Sequence, residues 1–425
     1  MPGGRLAAWA IALAGAVLAS TPGLLLSAVS GGRSRRRAVV GRSLAAAAER
    51  LGPAAIKMAQ IAAARRDLLP REITDELARL HDDVASPAAD GLARALAAAY
   101  AKPVGQLFAE IEQEPVAAGS VAVVFRGRAI DGEVVAIKLV RPGVACLVEA
   151  DLQLLEGLVR RARTWRRLAH LPLTETFGLF AEQVRRQCDM VQEARATERF
   201  QAMIGHLVTV PSVRHDLSNA TVMVSQWRDG GLRISDPALP ETAFRAACLS
   251  LLQALYRMIF THGLTHLDLH PGNVRVSDEG VVTLYDFGLT ASIDPVDRDR
   301  FRNLMSAVVK ADAAACVHHL IASAGRTPPG LDRRRLEDDM TALLRRYSGK
   351  SAGEFLVVGF VGALFELQNR HGLYGAPGFA NAVWALALFE GLVRDRFPTL
   401  DFQGELRAFE VDQFVERIRA SARNC

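Results

Sequence analysis

The chain has 425 residues, of which 50% are hydrophobic and 23% charged, with a formal net charge of +5. That length has room for about two to three domains, and so apolar a composition excludes a disordered protein. The positive balance comes mostly from arginine. It lacks the helix-turn-helix, zinc finger or aromatic-laced basic stripe of a nucleic-acid binder, so no nucleic-acid partner is expected. An anionic membrane surface or a polyphosphate ligand accounts for it more simply. Cys146, Cys188, Cys248, Cys316 and Cys425 are isolated and odd in number, which suggests neither a disulfide framework nor a zinc site and suits a reduced, cytoplasmic protein.

In chain order, residues 6–29 are almost wholly apolar or small and are followed by Arg33, Arg35, Arg36, Arg37 and Arg42. A membrane span needs about 20 apolar residues, which this segment barely offers, and the trailing arginines would keep the rest of the chain in the cytoplasm. Over 1–32, an anchor in the inner membrane and a buried or interfacial Ala/Leu helix both remain open. Helical patterns follow at 43–51, 54–64, 70–80 and 91–100, with Ser86-Pro87 as a break. The texture then changes. Residues 115–127 and 133–140 are β-branched or alternating, and Asp131-Gly132 between them is a hairpin signal. Amphipathic helices are expected over 144–167 and 173–200, strands over 208–213 and 221–226, and a flexible hinge at Asp229-Gly230-Gly231. From Pro240 onward the pattern is almost all helix, apart from short strands at 273–276 and 281–285. This order predicts a small sheet lobe and a larger helical lobe with the site in the cleft.

The strongest chemical signal is His266-Leu267-Asp268-Leu269-His270-Pro271-Gly272-Asn273 with Asp286-Phe287-Gly288 eighteen residues beyond Asp268. Phosphoryl transfer needs an in-line nucleophile and Mg²⁺ to neutralise the phosphoryl oxygens. Asp268 can orient or deprotonate the nucleophile. Asn273 can reach the metal through its amide oxygen, and Asp286 supplies the main metal carboxylate. An Asp-rich loop alone is only a solvated turn; both halves at this spacing are more than that. His266 is expected to brace the loop and His270 to lie near the phosphates, with no zinc assigned to either.

Val135-Ala136-Ile137-Lys138 reads as a strand ending in the lysine that grips the α/β-phosphates. Lys138 then needs a carboxylate on a following helix. Asp189 and Glu193 lie four apart, on one helical face; Glu193 is the expected ion-pair partner, with Asp189 facing the cleft. The loop Ala117-Ala118-Gly119-Ser120 stands where a protein kinase has G-x-G-x-x-G. Methyl groups there restrict the backbone and hold the loop off the nucleotide.

These residues resemble the UbiB/AarF family of atypical kinase-like proteins over about 40 to 425. Leu51 to Gln60 resembles its Lys-x-Gly-Gln helix, followed by Arg65 to Pro70. Glu114 to Ser120 resembles its alanine-rich loop, and Gln187-Cys188-Asp189 with Glu193-Ala194 its Glu-x-Asp motif. Phe389 to Leu392 and on to Asp401 is similar to its closing helix. The resemblance implies an α+β, bilobal protein-kinase-like fold with an extra N-terminal helical block over the cleft. Its parts would be an apolar segment over 1–32, a family-specific helical extension over 33–112, an N-lobe over 113–228 and a C-lobe over 229–425. It adds Lys57 and Gln60 to the site. It implies ATP or ADP with Mg²⁺ as cofactors and a role in quinone or other prenyl-lipid biosynthesis at a membrane, acting on a small or lipidic substrate. A homodimer or biosynthetic complex is a further expectation. Three departures mark a divergent member: Ala59 for the glycine of the first motif, Gln187 for the acid of Glu-x-Asp, and Gly119 for an alanine. A small-molecule (aminoglycoside-type) phosphotransferase and a non-catalytic pseudokinase scaffold are the competing readings.

Overall fold

An antiparallel sheet begins at Phe108, ahead of the change of texture expected at residue 115. The computed structural model describes residues 5, 8, 9, 11, 12, 15, 33–64, 70–81, 89–162, 173–324, 327–347, 357–373 and 379–423. Arg65 to Leu69, the Ser86-Pro87 break and most of 6–29 lie outside the described residues. The chain divides into two compact units, Met1–Glu198 with Pro211–Arg228, and Arg199–Val210 with Asp229–Cys425.

The first unit opens with helices α1 (Arg33–Leu51), α2 (Pro53–Ala64), α3 (Arg71–Ala78) and α4 (Ala89–Ala99). Ala48, Leu51, Ala55, Ile56, Leu77 and Leu80 make a small core there, joined by Ala12 and by half-buried Trp9. Arg5 engages both carboxylate oxygens of fully buried Asp151, and the Trp9 indole N–H donates to the same group at 2.9 Å. A buried carboxylate needs such partners.

Strands β1 (Phe108–Ile111), β2 (Ala117–Ala118), β3 (Ala122–Ala129) and β4 (Val134–Val140) follow, then helices α5 (Val144–Ala162), α6 (Leu173–Arg186) and α7 (Met190–Ile204), and β5 (Val222–Gln226). All strand pairs are antiparallel, in the order β1-β3-β4-β5 with β2 also on β3. Gly132, at φ 90°, turns the β3–β4 hairpin as its dipeptide predicts. Val123, Phe125, Val135, Ile137, Leu139, Val222 and Val224 fill the core on one sheet face.

Several expectations are corrected here. No strand is anticipated at 108–111, yet β1 pairs with β3. The single helix over 173–200 is two helices, because the chain turns at Gln187-Cys188-Asp189. Residues 208–213 form no ladder and make only isolated bridges, Thr209 with Thr283 and Val213 with Ser225.

The second unit contains β6 (Leu232–Arg233), α8 (Glu241–Tyr256), β7 (Leu264–His266), β8 (Val274–Val276), β9 (Val282–Leu284) and β10 (Thr290–Ser292). Then come α9 (Pro295–Val309), α10 (Ala313–Ser323), α11 (Arg333–Tyr347), α12 (Val357–Arg370), α13 (Phe379–Val393) and α14 (Phe402–Arg423). The strands form two small antiparallel sheets, β6-β8-β9 and β7-β10; the second of these is absent from the sequence pattern. Helix α8 runs on as a π-helical turn over Arg257–His262. Glu241–His262 is the one helix, among the described residues, long and apolar enough to cross a membrane. Its Leu251, Leu252, Leu255 and Ile259 are fully buried, as in a core helix.

Candidate active site

Two sets of residues carry the chemistry, one in each unit. In the first, pairing across the sheet puts Ala117, Val124, Lys138 and Met223 in one row. Alternation along β4 sends Val135, Ile137 and Leu139 into the core and leaves Lys138 on the other face. There its Nζ meets Glu193 Oε1 at 2.6 Å, with side-chain exposures of 15% and 1%. Glu193 lies in the first turn of α7, where the helix N-terminus favours a carboxylate. The pair is charge-assisted and largely out of water, so it holds the ammonium in one position.

Asp189 lies one turn before Glu193, its carbonyl accepting the Glu193 N–H at 3.2 Å. It precedes α7 and caps it, its Oδ1 accepting the Val191 N–H at 3.0 Å. The tip of the alanine-rich loop is a tight turn in which the Gly119 N–H donates to the Ala122 carbonyl at 2.9 Å, and Ser120 lies inside that turn. Lys57 is buried on α2. Gln60 lies on the same helix, its side chain outside the described residues.

In the second unit, β7 feeds the loop 267–273 and the β8–β9 hairpin returns to Asp286. The Tyr285 N–H donates to the Asn273 carbonyl at 3.0 Å, one rung beyond the Val274–Leu284 pair. Asn273 and Asp286 therefore emerge at the same end of the ribbon. Asn273 Nδ2 donates to the Asp268 carbonyl at 3.0 Å, which ties the two loop residues together and leaves Oδ1 as the atom for a cation. Asp286 is left-handed, at φ 56°, a conformation that aspartate tolerates better than most residues and that aims its carboxylate. Its Oδ1 accepts the Gly288 N–H at 3.2 Å.

His266 is fully buried, and its Nδ1 accepts the Asp268 N–H at 3.1 Å. That fixes the tautomer, so Nε2–H faces the Tyr285 carbonyl at 3.4 Å. Burial lowers its pKa, against the pull of the Asp268 and Asp286 carboxylates. A neutral imidazole thus bridges the loop of Asp268 to the strand end before Asp286. Phe287 packs on it at 5.2 Å between ring centroids and on Phe200 at 4.9 Å. His270 caps the short turn over Pro271–Asn273, its Nδ1 accepting the Gly272 N–H at 3.1 Å.

Two supporting residues carry no sequence signal. Phe200 reads only as a helix apolar. Trp384 of α13 donates its indole N–H to the Leu267 carbonyl, next to Asp268, at 3.3 Å, across 117 residues of chain.

The donor set suits Mg²⁺. No group of three His, Cys, Asp or Glu side chains able to hold a metal occurs among the described residues. Mg²⁺ asks for less: one or two protein oxygens, with phosphates and water completing the shell. Asp286 and Asn273 would supply those two.

A family model described as the ABC1 atypical kinase-like domain matches residues 79–320, more than half of the chain. An uncharacterized protein of Synechocystis is 29% identical over 72% of this chain and 78% of its own length. The probable protein kinase UbiB of Marinobacter nauticus is 26% identical, covering 90% of this chain and 71% of its own. ACTIVITY OF BC1 COMPLEX KINASE 7, a chloroplastic protein of Arabidopsis thaliana, is 29% identical over 80% of this chain, which spans half of that relative. Among solved structures, the complex of Rv3197 with erythromycin from Mycobacterium tuberculosis aligns with a TM-score of 0.53 at 17% identity, covering 82% of this chain and 93% of that one. That likeness supports a mixed α+β, kinase-like fold of small antiparallel sheets and many helices. The chain belongs to the ABC1, or UbiB/AarF, family of atypical kinase-like proteins.

Proposed function

We propose that this protein binds ATP with Mg²⁺ and either hydrolyses it or transfers its terminal phosphoryl group to a small or lipidic acceptor, in support of quinone or other prenyl-lipid synthesis on the cytoplasmic side of a membrane. The observation that carries this reading is the buried Lys138–Glu193 pair at 2.6 Å. Glu193 holds the Lys138 ammonium in one position on the sheet face opposite the core, where a kinase-like fold places the lysine that meets the nucleotide phosphates.

In this reading the two units correspond to the two lobes of a kinase, with the helices over 33–112 as the family's extension. Lys138 neutralises the α/β-phosphates. Mg²⁺, when bound by Asp286 and Asn273, offsets charge on the phosphoryl oxygens. Asp268 orients the acceptor hydroxyl or water and takes its proton. Ala117 to Ser120 stand beside the phosphates, held off them by the Ala117 and Ala118 methyl groups. Lys57, buried on its helix, Gln60 and Asp189 complete the site as family residues.

The test is nucleotide-induced thermal stabilisation with and without Mg²⁺. ATP with Mg²⁺ should raise the unfolding temperature of the wild type and not that of Asp286→Ala. No shift in the wild type, or an equal one in the variant, would overturn the proposal.

A further inference from the structure

Asp151 of α5 has no exposed surface and lies beside Val148 and Leu152, which are buried in an apolar cluster of the first unit. A carboxylate in such a place is strongly destabilising unless a cation and hydrogen bonds meet it, and packing alone would be served by an apolar residue. Its hydrogen-bond partners among the described residues are Arg5 and Trp9. The Arg5 guanidinium meets it as a fork, Nε on Oδ1 at 2.7 Å and Nη2 on Oδ2, and the Trp9 indole N–H adds a third bond at 2.9 Å. A buried charge on α5 is thus compensated by side chains 146 and 142 residues away, at the start of the chain.

The first residues are built to dock there. Residues 5, 8, 9, 11, 12 and 15 are helical, and Arg5, Trp9 and Ala12 follow at i, i+4 and i+7, on one face. Ala12 is buried in the core that α1 and α2 share, with Trp9 packed against it, whereas Ile11, off that face, is 72% exposed. A Cβ on Gly15 would come within 3.3 Å of the Arg50 guanidinium, so the segment also lies close to the end of α1.

Arg5 makes one further bond, from Nη2 to the Leu51 carbonyl at 2.6 Å. Leu51 ends α1, where carbonyls lack helical partners, and Gly52, at φ 100°, turns the chain into α2 at Pro53. One guanidinium therefore joins the end of α1 to α5. Helix α2 leaves that turn, packs along α5, and carries Lys57, 5% exposed, in its second turn.

We propose that the segment bearing Arg5, Trp9 and Ala12 is an internal strap, and that Arg5 and Asp151 are positioning residues for Lys57, fixing its helix against α5. The inference rests on the reading of Lys57 as a site residue.

The test uses the full chain without nucleotide, so its failure is distinct from a failure to bind ATP. The readouts are amide hydrogen exchange over 53–64 and the acetylation rate of Lys57 by acetic anhydride, both resolved by mass spectrometry. Arg5→Met should raise each about tenfold, the worth of one hydrogen bond to a charged group. Arg5→Lys keeps a cation on Asp151 and should stay much nearer the wild type. Should Arg5→Met fail to fold, the double variant Arg5→Ser with Asp151→Ala leaves no buried charge unpaired and nothing to reach the Leu51 carbonyl. The same rise in that variant supports the strap. Wild-type rates in the double variant, or in a folded Arg5→Met, would overturn it. Equal rates in Arg5→Lys and Arg5→Met would overturn the role of the ion pair.

Discussion

Asp268 hangs from His266: its backbone N–H donates to the imidazole Nδ1 at 3.1 Å, and the opposite edge of the same ring faces the carbonyl of Tyr285, the residue before Asp286. The residue proposed to handle the nucleophile and the residue proposed to hold the metal are thus set by one buried, neutral ring.

That arrangement has a pH signature. The folded pKa of His266 is lowered from the 6.5 of a free histidine, mainly by burial. The unfolded chain therefore binds the proton more readily, so His266 contributes stability above about pH 6.5 that is lost as pH falls toward the folded pKa. Unfolding free energies of wild type and His266→Gln, measured from pH 5 to 8, should differ most at high pH and converge below it. A difference independent of pH would show that the ring is not held neutral.

The Lys138–Glu193 pair should behave as a coupled unit. Lys138→Met leaves a buried carboxylate without its cation and should destabilise by about 3 kcal/mol. Glu193→Gln keeps the shape and should cost less. In the double variant the loss should be well below the sum, a coupling of about 1–3 kcal/mol measurable by denaturant unfolding. Additive losses would mean that the contact contributes little.

The backbone conformation at Gly119 does not require a glycine. Its φ is not positive, and a methyl there would meet only the Ala122 carbonyl, at 3.4 Å, which is ordinary contact. Gly119→Ala should therefore fold normally and gain about 0.4–1 kcal/mol through a stiffer unfolded chain. The added methyl should also weaken ATP binding by holding the loop further off the phosphates. Titration with ATP and chemical denaturation check the two halves separately.

Trp384→Phe removes the indole N–H from the Leu267 carbonyl and keeps the aromatic packing. The expected cost is about 1 kcal/mol in stability. Turnover should fall about three- to tenfold with ATP affinity little changed, because the loop of Asp268 loses one of its supports. A fall in affinity alone would place the tryptophan elsewhere in the mechanism.

Much of this site could be read along the chain, and the pattern of success is physical. Asp131-Gly132 turns a hairpin because glycine takes a positive φ at no steric cost, and Lys138 leaves the core because strand side chains alternate. Glu193 was legible as a carboxylate at the right distance along the chain. Spacing alone did not reveal that Asp189 is the cap of a helix that starts after it. The strand at 108–111 escaped notice because it is short and is defined by its pairing with β3, a segment distant along the chain.

The sequence by itself determined the local chemistry: which residues can carry phosphate and metal, where the hairpins turn, and which family these motifs belong to. Only the tertiary structure decided that His266 is buried and neutral, that Phe200 packs against Phe287, and that Trp384 supports the loop of Asp268. Turn conformation and side-chain periodicity are properties of a few neighbouring residues. Burial, ring contact and a hydrogen bond across 117 residues of chain depend on segments that meet only once the chain has folded.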